Sequence, residues 1–338
     1  MPSTVTSLSD SIGLYLHIPF CSAICDYCNF NRGLYDENLK QRYVNAIKDE
    51  IERWDDARSV DSIFFGGGTP SLLTASDVSE ILAACRSVFA VASDVETTLE
   101  MNPESCTQLH VKELLDAGIT RVSLGVQSFL DHELKRLGRA HTVNEARAAI
   151  TAIRSAGCNN LSIDLMLWLP GQTRADCVKS VNEMVRCDPD HASLYMLEIY
   201  PNSPLRDEMA RSGWSLAPDE DASGMYFDAL SVTDNAGYQQ YEISNVARSA
   251  RYSRHNLKYW RYQNWVGFGC GAHSMLDGCR WKNISEITGY IDTIGERGTV
   301  AEGHRNLSAE ELIGEAIFMG LRLNEGIDIH EFGERYGV

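Results

Sequence analysis

Long apolar runs are missing from this 338-residue chain: no window approaches the roughly 20 apolar residues that a membrane-spanning helix needs. Basic clusters are equally scarce. Lys and Arg number 30 against 47 Asp and Glu, for a formal charge of −17, and no Lys/Arg run gathers the positive charge in one place. Such a surface repels a phosphate backbone, so nucleic acid is not an expected partner. The first ten residues, MPSTVTSLSD, have neither the basic start nor the apolar core of a secretory signal, which gives a cytoplasmic expectation. Sequence repeats and low-complexity tracts are lacking too. Hydrophobic content of 44% and charged content of 23% are those of an ordinary globular protein.

What is present, from residue 12 to about 200, is an alternation of short β-branched or apolar runs with longer amphipathic stretches. GLYLHI, SIFF, VETTLEM, RVSLGV, LSIDLML and ASLYMLEI read as six strands of a parallel sheet. Residues 38–54 and 76–89 carry apolar side chains at three- and four-residue steps, with Ser76 as the expected N-cap of the second helix. The stretch 141–157 ends on Gly157 as an expected C-cap, and Thr173 is the expected cap after PGQT. Six βα units fall short of the eight that close a full barrel. The expected fold is therefore α/β, an open TIM-like (β/α)6 partial barrel over residues 1–205, with a flat doubly wound sheet as the alternative. The regular alternation lapses after PNSPL, and 206–338 reads as a smaller α+β domain. Its last segment, EFGERYGV, leaves the completeness of that domain open.

Cysteine is concentrated at one point. Cys21, Cys25 and Cys28 form C-x3-C-x2-C within HIPFCSAICDYC, while Cys85, Cys106, Cys158, Cys177, Cys187, Cys270 and Cys279 are scattered without ligand-like spacing. In a reducing compartment so tight a cluster points to a metal or redox site rather than to a disulfide framework. A closed zinc site would want a fourth donor, and His17 is the local candidate. Three thiolates on a 4Fe-4S cubane instead leave one iron without a protein ligand, a vacancy that a small molecule can fill. S-adenosylmethionine (SAM) suits it, since its amino and carboxylate groups chelate an iron while the cluster reduces the sulfonium.

FFGGGTP, residues 64–70, follows the second strand, and its glycines let backbone approach a bound molecule closely. Polar residues then mark three successive strands: Glu100 ends the third, Gln127 ends the fourth, and Asp164 lies in the fifth. The carboxyl ends of barrel strands carry the chemistry, and a polar residue within an apolar strand needs a partner.

YLHIPFCSAICDYC, GGGTPSLL, LEMNPE, SLGVQSF, IDLMLWLPGQT, YEISN, HNLKYW and VGFGCGAHS together make the chain resemble the radical SAM, oxygen-independent coproporphyrinogen oxidase family, and within it the haem-chaperone branch. The resemblance implies that Cys21, Cys25 and Cys28 hold a 4Fe-4S cluster. It puts Tyr15 and the turn Gly66, Gly67, Gly68 and Thr69 beside SAM, with Glu100 near its ribose or amino acid portion. Tyr27, Gln127, Arg139 and Asp164 match a second nucleotide site of the oxidases.

Phe30 stands where those oxidases carry a further cysteine, which removes support for decarboxylation of coproporphyrinogen III. RHNLKYW carries the HNxxYW pattern associated with haem in the chaperones. It implies His255 as an axial ligand, with Tyr259 and Trp260 flanking the macrocycle and His273 in the nearby glycine-rich loop. The alternative is that His255 and Asn256 close a turn while the aromatics fill a core. The resemblance implies transfer of haem to an acceptor haemoprotein and admits a homodimer. Whether the protein is also an enzyme is left open, the alternatives being the oxidase reaction and radical methyl transfer.

Overall fold

A computed structural model describes residues 11–201 and 203–338. Its central feature is a mixed twelve-stranded sheet. The strands are β1 (Ser11–Ile18), β2 (Ser59–Gly67), β3 (Ala90–Met101), β4 (Arg121–Gln127), β5 (Leu161–Leu167), β6 (His191–Met196), β7 (Gln239–Gln240), β8 (Asn245–Ala247), β9 (Trp265–Phe268), β10 (His273–Leu276), β11 (Cys279–Asn283) and β12 (Ala301–Asn306). Strands β1 to β6 are the six read from the sequence, and each pairs in parallel with the next. Between them run α1 (Glu37–Glu52), α2 (Ala75–Val88), α3 (Gln108–Ala117), the short α4 (Asp131–Arg136), α5 (Val143–Ser155) and α6 (Arg174–Arg186).

The order β1 to β6 never reverses. A doubly wound sheet needs such a reversal, whereas right-handed crossovers taken in one direction place every helix on one face and curl the sheet around the other. The topology is thus that of the partial barrel.

Later residues extend this sheet at both edges. On one side β9 pairs in parallel with β1, and β10, β11 and β12 follow antiparallel. On the other side β8 adds antiparallel to β6, and β7 to β8. One apolar core accordingly joins Leu14, Phe65, Leu99, Leu124, Ile163 and Leu194 to Val266, Phe268 and Tyr290. Helices α7 (Pro204–Ser212), α8 (Asp219–Asn235), α9 (Arg254–Trp260), α10 (Ile287–Gly295), α11 (Ala309–Gly320) and α12 (Ile329–Tyr336) complete the described fold. Among the described residues no helix is long and apolar enough to cross a membrane.

Local caps differ in part from expectation. Thr74, not Ser76, caps α2: its side chain accepts from the Asp77 N–H while Asp77 reaches back to the Thr74 N–H, and a reciprocal pair outcompetes a lone hydroxyl. Ser76 lies inside the helix and bonds Glu80. Helix α5 has Ala156 as its C-cap, with Gly157 next at φ 97°. Thr173 does cap α6, again in a capping box, with Asp176.

Candidate functional site

Cys21, Cys25 and Cys28 lie on the segment that leaves β1. A two-residue pairing of Phe20–Cys21 with Gly33–Leu34 closes its base. The Tyr35 N–H donates to the Cys21 carbonyl at 2.9 Å, and the Cys28 N–H to that of Cys25 at 3.2 Å. Backbone bonds from Asp26 to Leu137 and from Leu205 to Asp26 pin its middle. Arg32 closes the far end through the carbonyls of Cys28 and Phe30.

The glycine turn meets this loop directly. Gly68 and Thr69 donate their N–H groups to the carbonyls of Ile18 and Phe20 at 2.8 and 2.7 Å. A Cβ on Gly68 would stand 2.6 Å from the Phe20 oxygen and 3.0 Å from Cys21 Sγ. Gly67, at φ 117°, faces the His17 ring and donates to Glu100 Oε2 at 3.1 Å. These approaches require glycine.

All three cysteines open onto a cavity of about 380 Å³ that also receives Tyr27, Gly67, Gly68, Thr69, Glu100, Gln127, Arg139 and Asp164. The strand ends explain the convergence. Glu100 is in register with Ser123, and Asp164 with Gly125 and Ser193, so the polar side chains of successive strands share one rim. Gln127 adopts φ 69°, the left-handed region, where β4 breaks off. Asp164 accepts from Ser123 Oγ at 3.1 and 3.2 Å. Burial raises its pKa, while Ser193, Arg121 and the Ser123 and Ser162 hydroxyls pull the other way. Glu100 is pushed up to about 7, by burial first and by Asp164 second.

Arg139, with Arg32, brings positive charge to this cavity. Its Nη1 lies 3.3 Å from Cys25 Sγ and 3.5 Å from the Tyr27 hydroxyl, and its Nη2 donates to Asn102 Oδ1 at 2.8 Å and to the Gly125 carbonyl at 2.9 Å. Burial pushes the thiols of Cys21 and Cys28 up, so an uncoordinated thiolate is disfavoured there.

The donor set fits a cluster better than zinc. His17, the one candidate for a fourth zinc ligand, has both ring nitrogens engaged, Nδ1 with the Tyr15 hydroxyl at 3.1 Å and Nε2 with the Asn31 carbonyl at 2.8 Å. Among the described residues the three thiols do not form a group of donors all within 4.8 Å, the closeness that one small ion imposes. Three thiols around a concave, glycine-lined wall fit three corners of a cubane.

A second cavity, of about 650 Å³, adjoins the first and shares Asn29, Phe30, Gly67, Glu100 and Tyr200 with it. Tyr15, His17, Tyr259, Trp265, His273 and Lys282 complete much of its wall. Tyr15 therefore belongs to this side. Gly66 lies behind both cavities, its Cβ position hemmed in by Phe64, Tyr15 and Glu100.

His255 does not enter either cavity. It is 1% exposed and stacks on Phe64, with Nδ1 3.0 Å from Ser62 Oγ and Nε2 2.9 Å from the Tyr259 hydroxyl. Burial, then Lys258 and Arg121, lower its pKa to about 3. Ser253, rather than His255 or Asn256, caps α9. Tyr259 and Trp260 also part company: Tyr259 faces the 650 Å³ cavity, while Trp260 lines a separate groove formed with α11 and α12. Consecutive helical residues point about 100° apart, so one flat ligand cannot lie between this pair.

Sequence reasoning missed Arg121, Asn31 and Asn102. Arg121 is buried at the start of β4, and its charge counteracts the raised pKa of Glu96, Glu100 and Asp164. The available signal was a charge opening an otherwise apolar strand.

Six parallel strands in unbroken order, a three-thiol loop after the first and a glycine turn after the second define a radical SAM scaffold. The chain matches the Radical SAM superfamily over residues 15–184 and the HemN C-terminal domain over residues 307–338. It is 35% identical to "Heme chaperone HemW" of Bacillus subtilis, spanning 96% of this chain and 86% of that relative. Against the protein of the same name from Escherichia coli it is 36% identical, over 95% and 85%. The structure superposes on the E. coli coproporphyrinogen III oxidase HemN, described as a radical SAM enzyme, with a TM-score of 0.85 at 22% identity, covering 97% of this chain and 79% of that one; this likeness speaks to the fold alone. The chain belongs to the HemW family within the radical SAM superfamily.

Proposed function

We propose that this protein binds haem and passes it to an acceptor haemoprotein, on a scaffold that holds a 4Fe-4S cluster and SAM. The observation that carries the reading is identity of 35% and 36% with two proteins named as haem chaperones, across 86% and 85% of their lengths. Phe30 supports it: an exposed phenyl ring at the rim of both cavities offers no thiol for proton or electron transfer.

Cys21, Cys25 and Cys28 would hold three irons. The backbone of Gly67, Gly68 and Thr69, with Glu100, would take the amino acid portion of SAM, and Tyr15 would support that wall from the neighbouring cavity. Gln127, Arg139 and Asp164 extend the polar rim, and Arg139 offsets negative charge at Cys25. When bound, the cluster and SAM supply electron transfer into a sulfonium; the side chains orient them and exclude water. Haem is assigned to the adjoining cavity, whose aromatic walls suit a flat macrocycle.

The test is a haem titration of anaerobically reconstituted protein, followed by mixing with an apo b-type cytochrome. Saturable binding and movement of the haem band to the acceptor are expected. Failure to bind haem, or SAM-dependent conversion of coproporphyrinogen III under reductant, would overturn the reading.

A further inference from the structure

We propose that His273, the first residue of β10, is the protein's ligand to haem iron, presented into the 650 Å³ cavity; the inference rests on the haem-binding reading above. Two histidines line this cavity, His17 and His273. The His17 ring is held at both nitrogens. His273 is exposed, and no hydrogen bond from its ring is found among the described residues. A ligand to iron needs a free, unprotonated nitrogen.

The surroundings suit the porphyrin as well as its iron. Tyr259 and Trp265, packed edge to face at 4.9 Å, offer one aromatic wall, and Phe30 and Tyr200 also line the cavity. Lys282 lies directly across the strand pair from His273 and faces the same cavity. A cation beside the ring suits the carboxylates at the edge of the macrocycle. His255 then acts at one remove: its Nε2 fixes the Tyr259 hydroxyl, which makes it a positioning residue for the wall rather than the ligand.

The loop that leads into His273 is preorganised. The Gly269 N–H donates to Glu50 Oε2 at 2.8 Å, and Asn283 Nδ2 bonds both Glu50 and the Gly269 carbonyl. Asn31, on the thiol loop, donates to the Cys270 carbonyl at 3.1 Å and to that of Ser285 at 2.9 Å, while its own carbonyl is bonded to His17. The site for iron is thereby tied to the loop that holds the cluster.

The experiment compares wild type, His273→Ala and His255→Ala as full chains with the cluster reconstituted. Haem difference spectra and haem EPR are recorded with and without added imidazole. Ligand loss in His273→Ala is expected to weaken haem binding by about tenfold or more and to change the ligand signature, which imidazole restores. His255→Ala should lower haem affinity through the loosened Tyr259 wall but keep the wild-type ligand signature. Wild-type spectra and affinity in His273→Ala, or loss of the signature in His255→Ala alone with its cluster absorption intact, would overturn the assignment while leaving haem binding standing. Absence of haem binding by wild type would overturn both.

Discussion

Arg139 Nη1 lies 3.3 Å from Cys25 Sγ, and the same guanidinium bonds Asn102 Oδ1 and the Gly125 carbonyl. One partly buried cation thus ties the thiol loop to the ends of β3 and β4. Replacing it by Ala leaves two acceptors without donors and should destabilise the fold by about 2 kcal/mol. Lys cannot reproduce the planar fork and should recover only part of this loss. Urea unfolding of the cluster-free chain checks the stability, and iron and sulfide content after brief air exposure checks cluster retention. Unchanged values in both would remove Arg139 from the account.

Gly68→Ala is expected to damage the cluster loop itself. Its Cβ would collide with the Phe20 carbonyl at 2.6 Å, and backbone cannot move aside as a side-chain tip can. A loss of about 2 kcal/mol, accompanied by poor cluster reconstitution, is the expected result. Gly213→Ala, which meets no neighbouring atoms although its φ is 66°, should reconstitute normally.

Glu100 is held protonated up to about pH 7 by burial and by Asp164. An unfolded Glu releases its proton near 4.5, so this site destabilises the chain progressively as pH rises from about 4.5 to 7. Glu100→Gln should therefore raise stability by roughly 1 kcal/mol at pH 8, after discounting for its access to the cavities, and change little at pH 4.5. SAM affinity, followed by equilibrium dialysis, should fall in the same variant. Equal stability gains at both pH values would contradict the assignment.

His255 carries the opposite linkage. Its folded pKa of about 3 lies below the 6.5 of a free histidine, so the unfolded chain takes up a proton that the folded one refuses. Stability is lost as pH falls from about 6.5 towards 3, by at most about 1.4 kcal/mol per pH unit from this group. His255→Ala leaves Ser62 and Tyr259 without their partner and should cost about 3 kcal/mol at pH 7. That deficit should shrink at pH 4.5 in urea titrations, whereas a merely space-filling histidine would give the same deficit at both.

Phe30 is 63% exposed, so Phe30→Ala should alter stability by less than about 0.5 kcal/mol. Haem affinity should nevertheless decline, because the ring forms the rim between the two cavities. Thermal melts paired with haem titration separate the two effects.

Most of the barrel strands were legible because they are buried along most of their length and read as largely apolar runs, β1, β4 and β5 above all; β3, buried only towards its end, was legible from its β-branched residues. Glu100, Gln127 and Asp164 were legible for the converse reason, as polar interruptions of those runs. The edges of the sheet were not. Strands β7 and β8 are two and three residues long, too short for any periodicity, and β12 has no buried residue to mark an inward face. The environment of His255 was hidden as well: HNLKYW gives no sign that Ser62, 193 positions away, engages the ring. Asn31 was overlooked because its partners, Cys270 and Ser285, meet it only once β9 has joined β1. Local pattern reveals the strand and its polar exception; long-range packing decides which side chain remains free to bind.

The most direct measurement is the iron, acid-labile sulfide and zinc content of chain purified and reconstituted without oxygen, with EPR of the reduced state before and after SAM is added. The account predicts about four irons and four sulfides per chain and a SAM-dependent change in the spectrum, both abolished by joint replacement of Cys21, Cys25 and Cys28 with Ala. Stoichiometric zinc without sulfide, or a cluster that survives the triple replacement, would contradict it.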